Sequence, residues 1–194
     1  VLAFVLFASW RIVGQMQAER YAETAPERAL AWRPNHPQAL LVLAERQLAE
    51  GRLAEAQASA RRLLAHEPLQ GVGFRLLAEV ADREKRPADA FRLYLIAERR
   101  APRDLKTRAW LTQRYLERGD FSKALAQVDR ILRMAPQRGR SINPVLAQLA
   151  EDPAFAQALA ATLRQEPPWR TAFLNALRDP RAGNPLAAGR VMQA

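Results

Sequence analysis

LKTRAWLTQRYLERGDFSKALAQVDRILRMAP, residues 105–136, reads as two amphipathic helices joined at Gly119-Asp120 and stopped by Pro136. Glycine supplies the left-handed backbone that a tight helix-to-helix turn demands. Proline has no N–H and clashes with the turn before it, so it ends the second helix. The same layout lies upstream, because Pro34, Pro68, Pro102 and Pro136 fall 34 residues apart. That is the length of a helix–turn–helix unit that stacks on its own copies.

Three windows superpose in this phase: Pro37 to Pro68, Gly71 to Pro102 and Leu105 to Pro136. The seventh place is Leu43, Leu77, Leu111, and the eighth is Ala44, Ala78, Thr112. The turn place is Gly51, Lys85, Gly119, followed at the seventeenth place by Leu53, Pro87, Phe121. The twentieth is always alanine (Ala56, Ala90, Ala124), where two helices must approach closely, and the twenty-seventh is Leu63, Ala97, Ile131.

On these residues the chain resembles the tetratricopeptide repeat family. The third window carries Leu111, Tyr115, Gly119, Asp120, Phe121, Ala124, Leu125 and Pro136 in the family's places. The second keeps Phe74, Leu77, Ala90, Tyr94, Ala97 and Pro102 but not the turn glycine. The first has Gln47 where the family has an aromatic and Ala60 where it has a large residue. About 100 of the 194 residues are covered. The resemblance implies an α-solenoid of three hairpins, 37–70, 71–104 and 105–138, whose first helices line a groove that holds other proteins. Carried over place by place, the groove residues are Gln38, Leu41, Glu45 and Leu48, then Val72, Arg75, Glu79 and Asp82, then Lys106, Ala109, Gln113 and Leu116. The family's clamp for a C-terminal carboxylate needs Lys and Asn, and Leu41 and Glu45 stand there instead. The groove therefore suits an extended or helical peptide held by a few pockets.

Composition points to an all-α fold independently. Ala, Leu, Arg, Glu and Gln dominate, all good helix formers. No β-branched run of period two argues for strands, and 194 residues suffice for a real core.

The chain opens VLAFVLFASW, with no charge before Arg11. Ten helical residues rise roughly 15 Å, half of a bilayer's hydrocarbon core. Residues 1–14 are thus expected to be the end of a membrane anchor, with Trp10 and Arg11 at the interface. The alternative is an apolar first helix packed on the solenoid. Arg11, Arg20 and Arg28 argue for a cytoplasmic C-terminal side, interleaved though they are with Glu19, Glu23 and Glu27. Analogy with single-span anchors carrying such repeats in Gram-negative bacteria argues for a bacterial inner-membrane protein with periplasmic repeats, the expectation adopted. Residues 15–36 connect anchor to repeats through a short helix from Ala25 to Trp32, with Thr24 as its cap.

After the repeats, residues 137–141 read as a basic linker. Asn143-Pro144 and Asp152-Pro153 each open a helix, and Trp169, Phe173, Leu174 and Leu177 form the stripe of a third. Residues 139–180 read as a helical cap on the last repeat, or else as a separate interaction module carrying Pro-Pro-Trp-Arg. Residues 181–194 are Gly/Pro/Ala-rich and read as a linker or tail.

No catalytic centre is expected. Cysteine is absent, which excludes disulfides, thiolate metal sites and a cysteine nucleophile. His36 and His66 lie 30 residues apart and read as surface histidines. No phosphate loop, nucleophile elbow or paired zinc histidines are present, so neither a cofactor nor a metal is expected. The net charge is +10, with 27 of the 30 cations Arg. Basic residues are not clustered with stacking aromatics, so nucleic acid is not the expected partner. Two functions follow: a non-catalytic scaffold of the bacterial envelope, set in polysaccharide export or envelope assembly, or the targeting arm of a larger enzyme such as a glycosyltransferase.

Overall fold

The structure, a computed structural model, describes residues 2–178 and 189–191, with side chains from Trp10 onward. Every element among them is helical. In chain order they are α1 (Leu2–Tyr21), α2 (Pro26–Trp32), α3 (Pro37–Ala49), α4 (Leu53–His66), α5 (Gly71–Arg83) and α6 (Pro87–Arg100). Then come α7 (Leu105–Glu117), α8 (Phe121–Met134), a 3-10 turn (Pro136–Arg138), α9 (Gly139–Leu149), α10 (Pro153–Leu163) and α11 (Arg170–Arg178). Three hairpins recur with first helices of 13 residues and second helices of 14.

The turns show why the period holds. Gly51 and Gly119 adopt φ of 76° and 70°, and Lys85 takes the same left-handed place at 57°. Two residues later in each case the chain restarts as a helix, at Leu53, Pro87 and Phe121. Ala56, Ala90 and Ala124 are all buried, so the small residue does mark the close approach of each pair. Gly71 has a related role at the start of α5, where a Cβ would stand 2.6 Å from the Ala101 backbone nitrogen.

The described residues fall into two compact units, divided between Asp104 and Leu105. In the first, hairpin α5/α6 stacks on α3/α4 through both α3 and α4. The joint is apolar: Ala44, Leu48, Ala56 and Ala60 meet Leu76 and Val80. Gln47, in the aromatic place of the first repeat, is buried and accepts from the Ser59 hydroxyl at 2.8 Å. A polar pair thus fills the site, and the small Ala60 beside it leaves room.

In the second unit, the helices after the repeats pack on α8. Leu125, Val128 and Leu132 join Leu146, Phe155, Leu159, Leu163, Trp169, Phe173 and Leu177 in one core. Trp169 is only 7% exposed, and its indole N–H donates to Asp129 Oδ1 at 2.9 Å. Trp169 of the Pro-Pro-Trp-Arg segment is therefore a core anchor, while Pro168 and Arg170 are exposed. Residues 189–191 are helical, and Val191 joins this core; the rest of the expected tail lies outside the described residues.

Three local expectations are corrected. Thr24 does not cap α2: its N-cap is Ala25, with no side-chain hydrogen bond, and Pro26 at N1 pre-sets the first turn instead. Residues 137–141 are no linker, for the 3-10 turn runs directly into α9 with Pro144 inside it. Pro144 sits on the solvent face and forfeits one backbone bond, while Ile142 and Leu146 hold the helix to the core. Finally, α1 shows no boundary at residue 14 and continues through good helix formers to Tyr21. No helix among the described residues is long and apolar enough to cross a membrane.

Candidate partner-binding surface

The groove places of the first unit lie on α3 and α5. Gln38 is exposed, while Leu41, Glu45, Val72, Glu79 and Asp82 are half-buried. Leu48 and Arg75 are not available to a partner, at 2% and 3% exposure. Leu48 belongs to the apolar joint, and its carbonyl accepts a hydrogen bond from the Arg83 guanidinium.

Arg75 is the centre of a charge cluster. Its Nη2 donates to Glu45 Oε1 on α3 at 2.6 Å, its Nη1 donates to Glu79 one turn on, and its Nε lies 3.2 Å from Asp104 Oδ2. Burial works against the guanidinium's charge, but the carboxylates of Glu79, Glu45 and Asp104 outweigh it and hold its pKa above the ordinary value. Tyr94 stands in the same field: burial, then the carboxylates of Glu79 and Asp82, push its phenol well above the usual range. The cluster leaves an acidic outer rim, since Glu45 and Glu79 remain partly exposed while the cation beneath them does not. Position alone could not reveal it, for the carboxylates on Arg75 come from residues 45, 79 and 104 on three different segments.

In the second unit, Lys106, Ala109 and Gln113 are exposed on α7 and Leu116 is half-buried in the unit's core. Gln113 donates to Glu117 at 3.0 Å. Beside them Arg108 is buried and donates to Gln127 Oε1 of α8 at 2.7 Å, tying the two helices of the hairpin.

The histidines differ from each other. His66 is exposed at the end of α4. His36 is buried, contrary to the surface place expected of it: its Nδ1 accepts from the Ala39 N–H at 3.3 Å as the cap of α3, and its Nε2 lies 3.4 Å from Glu19 of α1. Among the described residues no group of three His, Asp or Glu side chains could hold a metal ion.

A second surface feature lies on α1. Trp10 and Met16 are about two-thirds exposed, and Ile12 and Val13 are exposed beside them. The Trp10 ring leans on Trp32 of α2 at 5.8 Å, and the two indoles wall an open cleft of about 410 Å³ with Arg11, Arg33 and Pro34. Comparison of the chain with protein-family models gives no match, and comparison with curated proteins gives none either.

Proposed function

We propose that this chain is a tetratricopeptide-repeat scaffold that holds a partner protein segment against α3 and α5 and performs no chemistry itself. The observation that carries the reading is the recurrence of 13- and 14-residue helices at a 34-residue period, with alanine at each close approach. Gln38, Leu41, Glu45, Val72, Glu79 and Asp82 form the recognition face. Its acidic rim favours a segment with an apolar anchor flanked by Lys or Arg. The exposed Trp10, Ile12, Val13 and Met16, continuous in sequence with the apolar stretch 1–9, support attachment at a membrane of the bacterial envelope.

The test is in-host crosslinking with the wild-type chain and with Gln38→Arg combined with Asp82→Lys, two changes that spare the Arg75 cluster. The expected result is a defined partner lost in the double variant while its helicity is unchanged. Equal recovery from both proteins removes the groove from the proposal. Release of the chain from washed membranes without detergent removes the attachment and leaves the groove standing.

A further inference from the structure

In the first unit, α4 and α6 both pack on α5 yet barely touch each other. The gap between them is an open cleft of about 380 Å³. Its floor is apolar, made by Leu77 of α5 with Leu93 and Ile96 of α6, all half-buried. Arg61 of α4 and Arg92 of α6 stand exposed on its two sides, and neither makes a hydrogen bond or an ion pair among the described residues. The other charged lining residues, Arg86 and Asp89, satisfy each other at 2.9 Å. The cleft thus offers apolar surface between two uncommitted cations.

We propose that this cleft takes an acidic amphipathic helix of a partner protein, its aliphatic side chains seated on Leu77, Leu93 and Ile96 and its carboxylates held by Arg61 and Arg92. The lining recurs at helical spacing on both sides: Gln57 and Arg61 lie one turn apart on α4, and Asp89, Arg92 and Ile96 run along two turns of α6. The cleft therefore follows the helix for about 10 Å, at 1.5 Å per residue. A helix laid along it presents residues at i, i+3, i+4 and i+7 to the floor. Charge fixes the sign of the partner, since two exposed guanidinium groups attract carboxylates and penalise Lys or Arg. The floor lies between two helices, so a flat layer of anionic lipid headgroups would reach the arginines and leave Leu77 uncovered. The acidic rim of Glu45 and Glu79 has the opposite preference, so one segment does not suit both surfaces. The site does not depend on the groove proposed above.

The experiment uses the whole chain labelled with 15N and two capped peptides, acetyl-Glu-Leu-Glu-Ala-Leu-Leu-Ala-Glu-amide and its counterpart with Lys in place of Glu. The acidic peptide is expected to shift the backbone amide signals of Arg61, Leu93 and Ile96 saturably, and to bind several-fold more tightly than the basic one. Arg61→Glu combined with Arg92→Glu should weaken that binding about tenfold, because two attractions become two repulsions. Arg103→Glu combined with Arg138→Glu changes the net charge equally at exposed residues outside the cleft, neither of them in an ion pair among the described residues. That second pair should leave binding close to wild type. Four results overturn the proposal: no saturable shift at those amides, equal binding of both peptides, undiminished binding by the first pair, or an equal loss in the second. The last would make net charge the whole cause. Phosphatidylglycerol vesicles that shift the same signals where the acidic peptide does not would assign the cleft to lipid and overturn it too. Shifts that depend on protein concentration without peptide would assign it to a second copy of the chain, with the same consequence.

Discussion

Lys85 is the residue at which the repeat departs furthest from its own rule. It holds the left-handed turn that Gly51 and Gly119 hold elsewhere, and its side chain is exposed. Lys85→Gly is expected to stabilise the chain by about 0.5–1 kcal/mol, the relief of left-handed strain less the extra entropy of unfolded glycine. A higher urea midpoint with an unchanged denaturant slope would show it. Arg75 is the opposite case, a residue whose loss should be costly. Arg75→Met leaves three carboxylates crowded without their cation, and about 2–4 kcal/mol of destabilisation is expected. Adding Glu45→Gln and Glu79→Gln should recover more than half of that loss in the same measurement. Failure to recover would mean that the guanidinium acts through packing and not through its charge.

At the scale of elements, helix ends separate what pattern can give from what it cannot. The helix starts at Pro37, Leu53, Gly71, Pro87, Leu105 and Phe121 follow directly from the period, because each lies just after a proline-marked junction or a left-handed turn. Asp152-Pro153 was legible for a local reason: the carboxylate accepts from the Ala154 and Phe155 N–H groups at 2.7 and 3.1 Å, and proline sits at N1. Asp152→Ala should therefore cost about 1 kcal/mol, whereas Thr24→Ala should cost almost nothing, since α2 draws no hydrogen bond from that side chain. Matched thermal melts of the two variants would decide it. The start of α9 was not legible, because Asn143-Pro144 advertises a helix start, whereas the helix begins at Gly139 and runs through Pro144, held by the packing of Ile142 and Leu146. The candidate surface was legible only in part. Sequence place put Leu48 and Arg75 on the groove helices, but burial depends on neighbours many residues away, and these two turn inward.

At the scale of the whole molecule, most of the packing between elements joins neighbours in the chain, and each unit has a core of its own. Such a chain does not melt evenly, since elements with few buried apolar side chains open first. Along α1 from Trp10 to Tyr21, the only buried residues are Gly14 and Ala18, with Gln17 and Tyr21 half-covered. These small side chains remove little apolar area from water, and area sets the strength of the seat. Backbone amides of α1 are therefore expected to exchange with deuterium well before those of α3 to α6, and equal protection would contradict this. The narrow stripe that lets α1 nestle against its neighbours also makes it the easiest piece to peel away. Surroundings that solvate Ile12, Val13 and Met16 better than water does would lift the helix off like a tab, leaving the hairpins behind it folded.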